Sequence, residues 1–133
     1  MDIDMAVLDD ITERIIGAAF QVANTLGVGF LEKVYENALA HEMRKRGLTV
    51  ERRKSIVVRY DDVVVGEYVA DLVVEEAVIV ELKVTRSIGD PHVAQCLNYL
   101  KATGKSVCLL INFGRPRIEI RRIAALPIDR PQS

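Results

Sequence analysis

The residues of this chain best suited to chemistry lie in Ala70-Asp71-Leu72-Val73-Val74-Glu75-Glu76-Ala77-Val78-Ile79-Val80-Glu81-Leu82-Lys83. Two valine-rich stretches flank a short polar turn, yet they carry an aspartate, a glutamate and a lysine. Charges among residues that favour burial are costly unless paired. A divalent metal ion and a phosphate group would pair all three, which points to metal-dependent phosphodiester hydrolysis. Strand side chains alternate, so Glu81 and Lys83 share a face. If Glu75-Glu76-Ala77 is a three-residue loop centred on Glu76, Asp71 falls directly opposite Glu81, about 5 Å away at Cβ. Two carboxylates there repel unless one is protonated or a cation sits between them. A two-residue turn would slip the register by one and separate their faces. The metal-site reading therefore requires a particular turn. Hard oxygen ligands with open positions suit Mg²⁺, or Mn²⁺, rather than zinc. Such an ion lowers the pKa of a bound water and neutralises phosphodiester charge. Lys83 would orient the attacking water and stabilise developing charge, and the carbonyl of Leu82 would be a further ligand. The alternative is an ordinary ion-pair cluster of Asp71, Glu81 and Lys83 at the sheet margin, which the bare spacing does not exclude.

The elements that must position these residues can be read from periodicity. Ile11, Ile15, Ala19, Val22 and Leu26 recur at helical spacing and predict an amphipathic helix over about 8–25, with Asp9 or Asp10 in its first turn and Gly27 at its end. A second helix is expected from about Leu31 to Arg46, ending in Arg44-Lys45-Arg46 before Gly47. From Leu48 the period changes. Ser55–Tyr60 and Val63–Val74 read as strands joined at Asp61-Asp62, and Val78–Thr85 as a third. Their faces are apolar on both sides, which predicts a sheet covered on both sides. Asp90-Pro91 reads as an N-cap followed by proline at the first helical position, opening a helix that Gly104 stops. Val107–Asn112 is a buried strand, and Ile118–Ile123 alternates as an edge strand does. The order is α-α-β-β-β-α-β-β, a mixed central sheet flanked by helices in the α/β class.

At 133 residues the chain is expected to form a single domain over 1–125, with a loose tail over 126–133 that holds two prolines and little to bury. No apolar run reaches the length of a membrane span. The start, Met1-Asp2-Ile3-Asp4, lacks the layout of a signal peptide. Cys96 and Cys108 are not in metal-ligand spacing and read as small core residues of a reducing compartment, so a cytoplasmic protein is expected. The net charge of −1 hides an asymmetry: residues 1–42 hold eight acids and two bases, whereas 44–59 hold seven bases and one acid. Arg44, Lys45, Arg46, Arg52, Arg53 and Lys54 are candidate grips on backbone phosphates. Arg115, Arg117, Arg121 and Arg122 form a second basic cluster. The alternative is a solvated charged face with cations gathered at a helix C-terminus.

Further residues make the chain recognisable. Gly29-Phe30-Leu31-Glu32-Lys33-Val34-Tyr35 matches the G-x-x-E-x-x-Y signature of the GxxExxY family, within the PD-(D/E)XK nuclease-like superfamily. Gly66-Glu67-Tyr68-Val69-Ala70-Asp71, Val80-Glu81-Leu82-Lys83, Gln95 to Gly104 and Leu110-Ile111-Asn112-Phe113-Gly114 resemble its downstream features, so the resemblance covers roughly 8–123. It implies a restriction-endonuclease-like α-β-β-β-α-β core. It also implies Asp71 and Glu81 as metal ligands, Lys83 as the catalytic lysine and Glu32 as the upstream acid that helps hold the metal. Gln95 and Tyr99 match a Q-x-x-x-Y motif of the recombination-exonuclease branch; four apart on a helix, they share a face that would lie beside the metal or a nucleic-acid strand. Glu32 could instead merely charge the start of its helix. Tyr35 is expected to pack and hydrogen-bond rather than react. Tyr99 could equally be a core aromatic with its hydroxyl at the rim. His41 and His92 lack a second histidine at ligand spacing. The chain departs from the superfamily's name at Ala70, where proline would precede the aspartate, a position with no catalytic side chain.

The leading expectation is a Mg²⁺-dependent nuclease acting on DNA in preference to RNA. The alternatives are a catalytically silent module that binds nucleic acid or a protein partner, and a hydrolase of small phosphorylated compounds. No Gly-rich phosphate loop followed by lysine is present, which argues against ATP as a partner. The 118–123 edge would offer a homodimer contact, though its arginines also protect against one.

Overall fold

The structure is a computed structural model that describes residues 3–125. The expected tail over 126–133 lies outside the described residues, as do Met1 and Asp2. The element order is α1 (Met5–Leu26), α2 (Glu32–Lys45), β1 (Val50–Tyr60), β2 (Val63–Val74), β3 (Val78–Lys83), α3 (Asp90–Thr103), β4 (Val107–Asn112) and β5 (Glu119–Ala124). This is the predicted order, and the class is α/β. The strands form one mixed sheet in the order β1-β2-β3-β4-β5, parallel only between β3 and β4 and antiparallel elsewhere. A parallel pair needs a long crossover, and α3 supplies it.

Three local readings need correction. Helix α1 begins at Met5 because the Asp4 carboxylate accepts from the Ala6 N–H at 2.7 Å; Asp9 lies inside the helix and pairs with Arg122 at 2.7 Å. Asp90 is the first residue of α3 rather than its cap; the cap is Gly89, whose N–H donates to His92 Nδ1 at 3.2 Å. Strand β1 starts at Val50 rather than Ser55. Val50-Glu51-Arg52 lacks apolar alternation and is extended because Val74, Val73 and Leu72 of β2 pair with it.

Helices α1 and α2 cover one face of the sheet, where Ile15, Leu39, Met43, Leu82, Leu109 and Ile111 are buried. Helix α3 covers the other, its Cys96 and Leu100 packed over Ile79, Cys108 and Leu110. Burying one such side chain contributes roughly 1.5–3 kcal/mol. All six residues of β4 are buried, and so are the first five of β3. The expectation of two covered faces holds there and fails for the outer half of the β1–β2 hairpin. Val57, Val63, Val64, Val65, Tyr68 and Val69 are exposed. The reason is length: a 12-residue strand runs about 40 Å, whereas a 14-residue helix runs about 21 Å and cannot cover it. Strand β5 is an edge, as its alternation implies.

Candidate active site

The turn after β2 decides the site. Glu75 and Glu76 take φ of +54° and +54°, Ala77 N–H donates to Val74 O at 3.0 Å, and Val74 pairs with Val78. The register continues through Val73↔Ile79 and Leu72↔Val80, so the next residues along, Asp71 and Glu81, face one another. The backbone ladder ends there and the carboxylates replace it. The Asp71 N–H donates to Glu81 Oε1 at 3.1 Å, and the Leu82 N–H donates to Asp71 Oδ2 at 2.9 Å. Asp71 is 8% exposed and Glu81 3%. Burial, and then the Asp71 carboxylate, push the Glu81 carboxyl up to about 9, so Glu81 keeps its proton at neutral pH when no cation is present.

Lys83 lies two residues beyond Glu81, half-buried at the end of β3. Its carbonyl accepts from the Phe113 N–H at 2.9 Å, and its ladder partner is Asn112. Asn112 is fully buried. Its amide donates to Thr85 O at 2.9 Å, while its oxygen accepts from Thr85 N–H at 3.0 Å and Gly114 N–H at 2.9 Å. That clamp fixes the chain just after Lys83.

Glu32 opens α2. The residue is exposed, yet partial burial of its carboxyl and the nearby Asp71 raise its pKa, with Lys83 and Arg53 opposing. These influences place Glu32, Asp71, Lys83 and Arg53 in one neighbourhood. Among the described residues, however, no group of three or more acids, histidines or cysteines is close enough to share one ion. The proposed ligands are thus assembled only in part: Asp71 and Glu81 meet, Glu32 stands off, and Leu82 donates its N–H to Asp71. Two adjacent carboxylates still fit a hard cation, because Mg²⁺ is commonly held by one or two carboxylates with waters and substrate phosphate completing the shell.

Gln95 and Tyr99 do share a face: Gln95 Nε2 donates to Tyr99 Oη at 2.9 Å. Tyr99 is 4% exposed, and burial, then Glu81 and Asp71, raise its phenol to about 12, so it stays neutral beside the acids. Such burial leaves it little surface for a nucleic-acid strand. Tyr68, half-exposed, packs on it with ring centroids 5.8 Å apart.

The basic segment is not a uniform cationic face. Arg44 donates to Val50 O at 2.8 Å; Lys45 and Arg46 pair with Glu42 at 3.5 and 2.8 Å; Lys54 pairs with Glu51 at 2.9 Å. Arg52 pairs with Glu36 at 3.0 Å and also donates to Asn37. Arg53 lies 3.9 Å from Glu36 and 3.8 Å from Asp71. Glu36, buried and one turn after Glu32, was not singled out from sequence, although its i+4 spacing from Glu32 was a usable signal. Arg53 takes φ of +56° within a strand, a conformation that costs a non-glycine residue on the order of 1–3 kcal/mol. Nothing in the sequence marks that.

In this mixed α/β sheet two carboxylates meet where β2 and β3 part, with a lysine two residues on. The sequence profile of the PD-(D/E)XK nuclease superfamily matches residues 9–123, and the chain belongs to that superfamily. Nucleases of this superfamily generally use divalent metals. No curated protein matches the chain. Among solved structures it is similar to SSO0001, with a TM-score of 0.54, 19% identity, and coverage of 91% of this chain and 60% of that one. It is also similar to an alkaline exonuclease (LHK-Exo) from Laribacter hongkongensis, with a TM-score of 0.52, 14% identity, and coverage of 94% of this chain and 72% of that one. At these identities the likeness shows the fold; the chain spans 60% of the length of SSO0001. No helix among the described residues is long and apolar enough to cross a membrane.

Proposed function

We propose that this chain is a divalent-metal-dependent nuclease of the GxxExxY type, hydrolysing phosphodiester bonds of DNA in preference to RNA, with its domain spanning 1–125. The observation that carries the reading is the cross-strand pairing of Asp71 and Glu81, buried and hydrogen-bonded through each other's strands, with Lys83 following on β3. Asp71 and Glu81 would hold Mg²⁺ or Mn²⁺, with Glu32 and the Leu82 carbonyl as further oxygens. A bound cation there lowers the pKa of a water and offsets charge on the phosphodiester. In the reaction a water oxygen bonds to phosphorus while the bond to the leaving oxygen breaks, and that oxygen departs with a proton. Lys83 would orient the water and stabilise charge on the phosphoryl oxygens. Gln95 would hold Tyr99 against the acids from the α3 side, keeping water off Glu81.

The test is a nuclease assay of wild type beside Lys83→Ala on single-stranded DNA, duplex DNA and RNA, each with Mg²⁺, Mn²⁺ or EDTA. The expected result is metal-dependent cleavage, reduced by about 10²–10³ in the variant. A silent binding module is the second reading. It is favoured by the fact that both carboxylates already accept from backbone N–H groups. That reading expects no cleavage by folded wild type under any condition and no effect of Lys83→Ala on binding.

A further inference from the structure

Arg53 differs from every other base of the 44–54 segment. The β1–β2 register runs Arg52↔Leu72 and Lys54↔Ala70, so Arg53 stands opposite Asp71, which in turn faces Glu81. One row across the sheet therefore reads arginine, aspartate, glutamate. Arg53 reaches this position with φ of +56°, whereas its strand neighbours pair regularly. Its guanidinium lies 3.9 Å from buried Glu36 and 3.8 Å from Asp71, and its side chain is 63% exposed. At those separations it feels both charges without hydrogen-bonding either carboxylate. Arg52, by contrast, is bonded to Glu36 at 3.0 Å. Lys45, Arg46 and Lys54 pair with acids away from the Asp71 row.

We infer that Arg53 is the phosphate-binding residue of the candidate active site, aimed at the row of acids by its left-handed backbone and by the buried carboxylate of Glu36. The inference rests on the nuclease reading and deepens it: it assigns recognition of a phosphodiester to one side chain and names Glu36 as the residue that positions it. A guanidinium anchored by charge on one side, with N–H donors open to solvent on the other, is suited to fork onto phosphate oxygens. Glu36 touches no substrate in this scheme; it acts through Arg53. Left-handed φ in a strand interior is the kind of conformation retained where a side chain must be delivered to one point.

The experiment is anisotropy titration of a fluorescein-labelled single-stranded DNA oligonucleotide in EDTA over a range of salt, so that binding is read without cleavage. Arg53→Gly suits the backbone at φ of +56° and keeps the fold while removing the guanidinium. It should weaken binding about tenfold and lower the slope of log K against log salt by roughly 0.7, one phosphate contact on a single strand. Arg53→Lys should recover most of the slope and only part of the affinity, because the charge returns without the fork. Glu36→Gln separates positioning from charge. It makes the chain more positive, so an unspecific cationic surface would bind more tightly, whereas loss of the Arg53 anchor should weaken binding. Lys54→Ala should change affinity by less than Arg53→Gly does. Thermal melts show which variants are folded; if Glu36→Gln is not, the two Arg53 variants decide. Unchanged affinity and slope in folded Arg53→Gly, or tighter binding by folded Glu36→Gln, would overturn the inference and leave the nuclease reading standing. Wild type that binds no nucleic acid at any salt in EDTA would overturn the inference, and wild type that also cleaves none with Mg²⁺ or Mn²⁺ would overturn both.

Discussion

Glu81 and Asp71 illustrate how much one residue's surroundings decide. A glutamate in a valine-rich strand is costly to bury. Here the cost is met by a proton and by the Asp71 N–H, not by a cation of the protein. The pH consequence follows from linkage. Below the ordinary value of 4.5, Glu81 is protonated in folded and unfolded chains alike, and between 4.5 and about 9 only the folded chain keeps the proton. The unfolded state then binds fewer protons, so stability falls as pH rises through that window. We predict that the melting temperature of the protein in EDTA declines from pH 5 to pH 9, and that Glu81→Gln flattens the decline. Added Mg²⁺ should oppose it, because a cation replaces the proton. A melting temperature independent of pH in wild type would contradict the buried, protonated Glu81. The functional consequence runs the opposite way: if Glu81 holds a metal as proposed, binding must expel that proton and should strengthen with pH.

At the scale of elements, the signature Tyr35 works through contacts that join the loop before α2 to the end of β3. Its hydroxyl donates to Gly27 O at 2.5 Å and accepts from Phe30 N–H at 3.3 Å. Its ring stacks on Phe113 with centroids 4.8 Å apart and planes 11° from parallel. The Phe113 N–H in turn donates to Lys83 O at 2.9 Å. Glu32 and Lys83, which come from different elements, are thereby tied to one strut. Tyr35→Phe should cost about 1–2 kcal/mol in urea denaturation, through the lost hydrogen bond to Gly27, while leaving the stack. Gly114 is the other fixed point: a Cβ there would lie 2.4 Å from both the Thr85 N and O. Gly114→Ala must push the β3 exit aside and should cost about 1–3 kcal/mol in the same measurement, with Lys83 displaced and cleavage reduced. Equal stability of Gly114→Ala and wild type would show that the clamp yields freely.

The whole molecule is uneven in its stability. The core lies over β3 and β4, between α1 and α2 on one face and α3 on the other. The far half of the β1–β2 hairpin projects beyond the helices with Tyr60, Val63, Val64 and Val65 exposed. Local opening depends on how much buried contact must be broken. Amides over 57–68 should therefore exchange with solvent orders of magnitude faster than those over 107–112, as read by hydrogen exchange. By the same reasoning Val64→Lys should change stability by less than about 0.5 kcal/mol, whereas Leu109→Ala should cost about 2–5 kcal/mol. Slow exchange at the hairpin tip would mean that something covers it in solution.

Much of this was legible before folding, and for a physical reason. Helix and strand periods, Gly and Pro punctuation and the polar turns are local, so the order of the eight elements and the edge position of β5 could be read from neighbours in the chain. The opposition of Asp71 and Glu81 was legible only as a condition on a turn. Glu75 and Glu76 adopt φ of +54°, which their residue type does not announce, and that meets the condition. What no local pattern carried was decided by contacts distant in sequence. Val50–Arg52 became strand because β2 lies beside it, Glu36 was buried against Arg52, and Arg53 was turned toward Asp71. Residue types and their local spacing were enough to show which side chains could do chemistry. Which of them meet was set by the folded sheet, because burial and charge pairing depend on what lies across a sheet rather than along a chain.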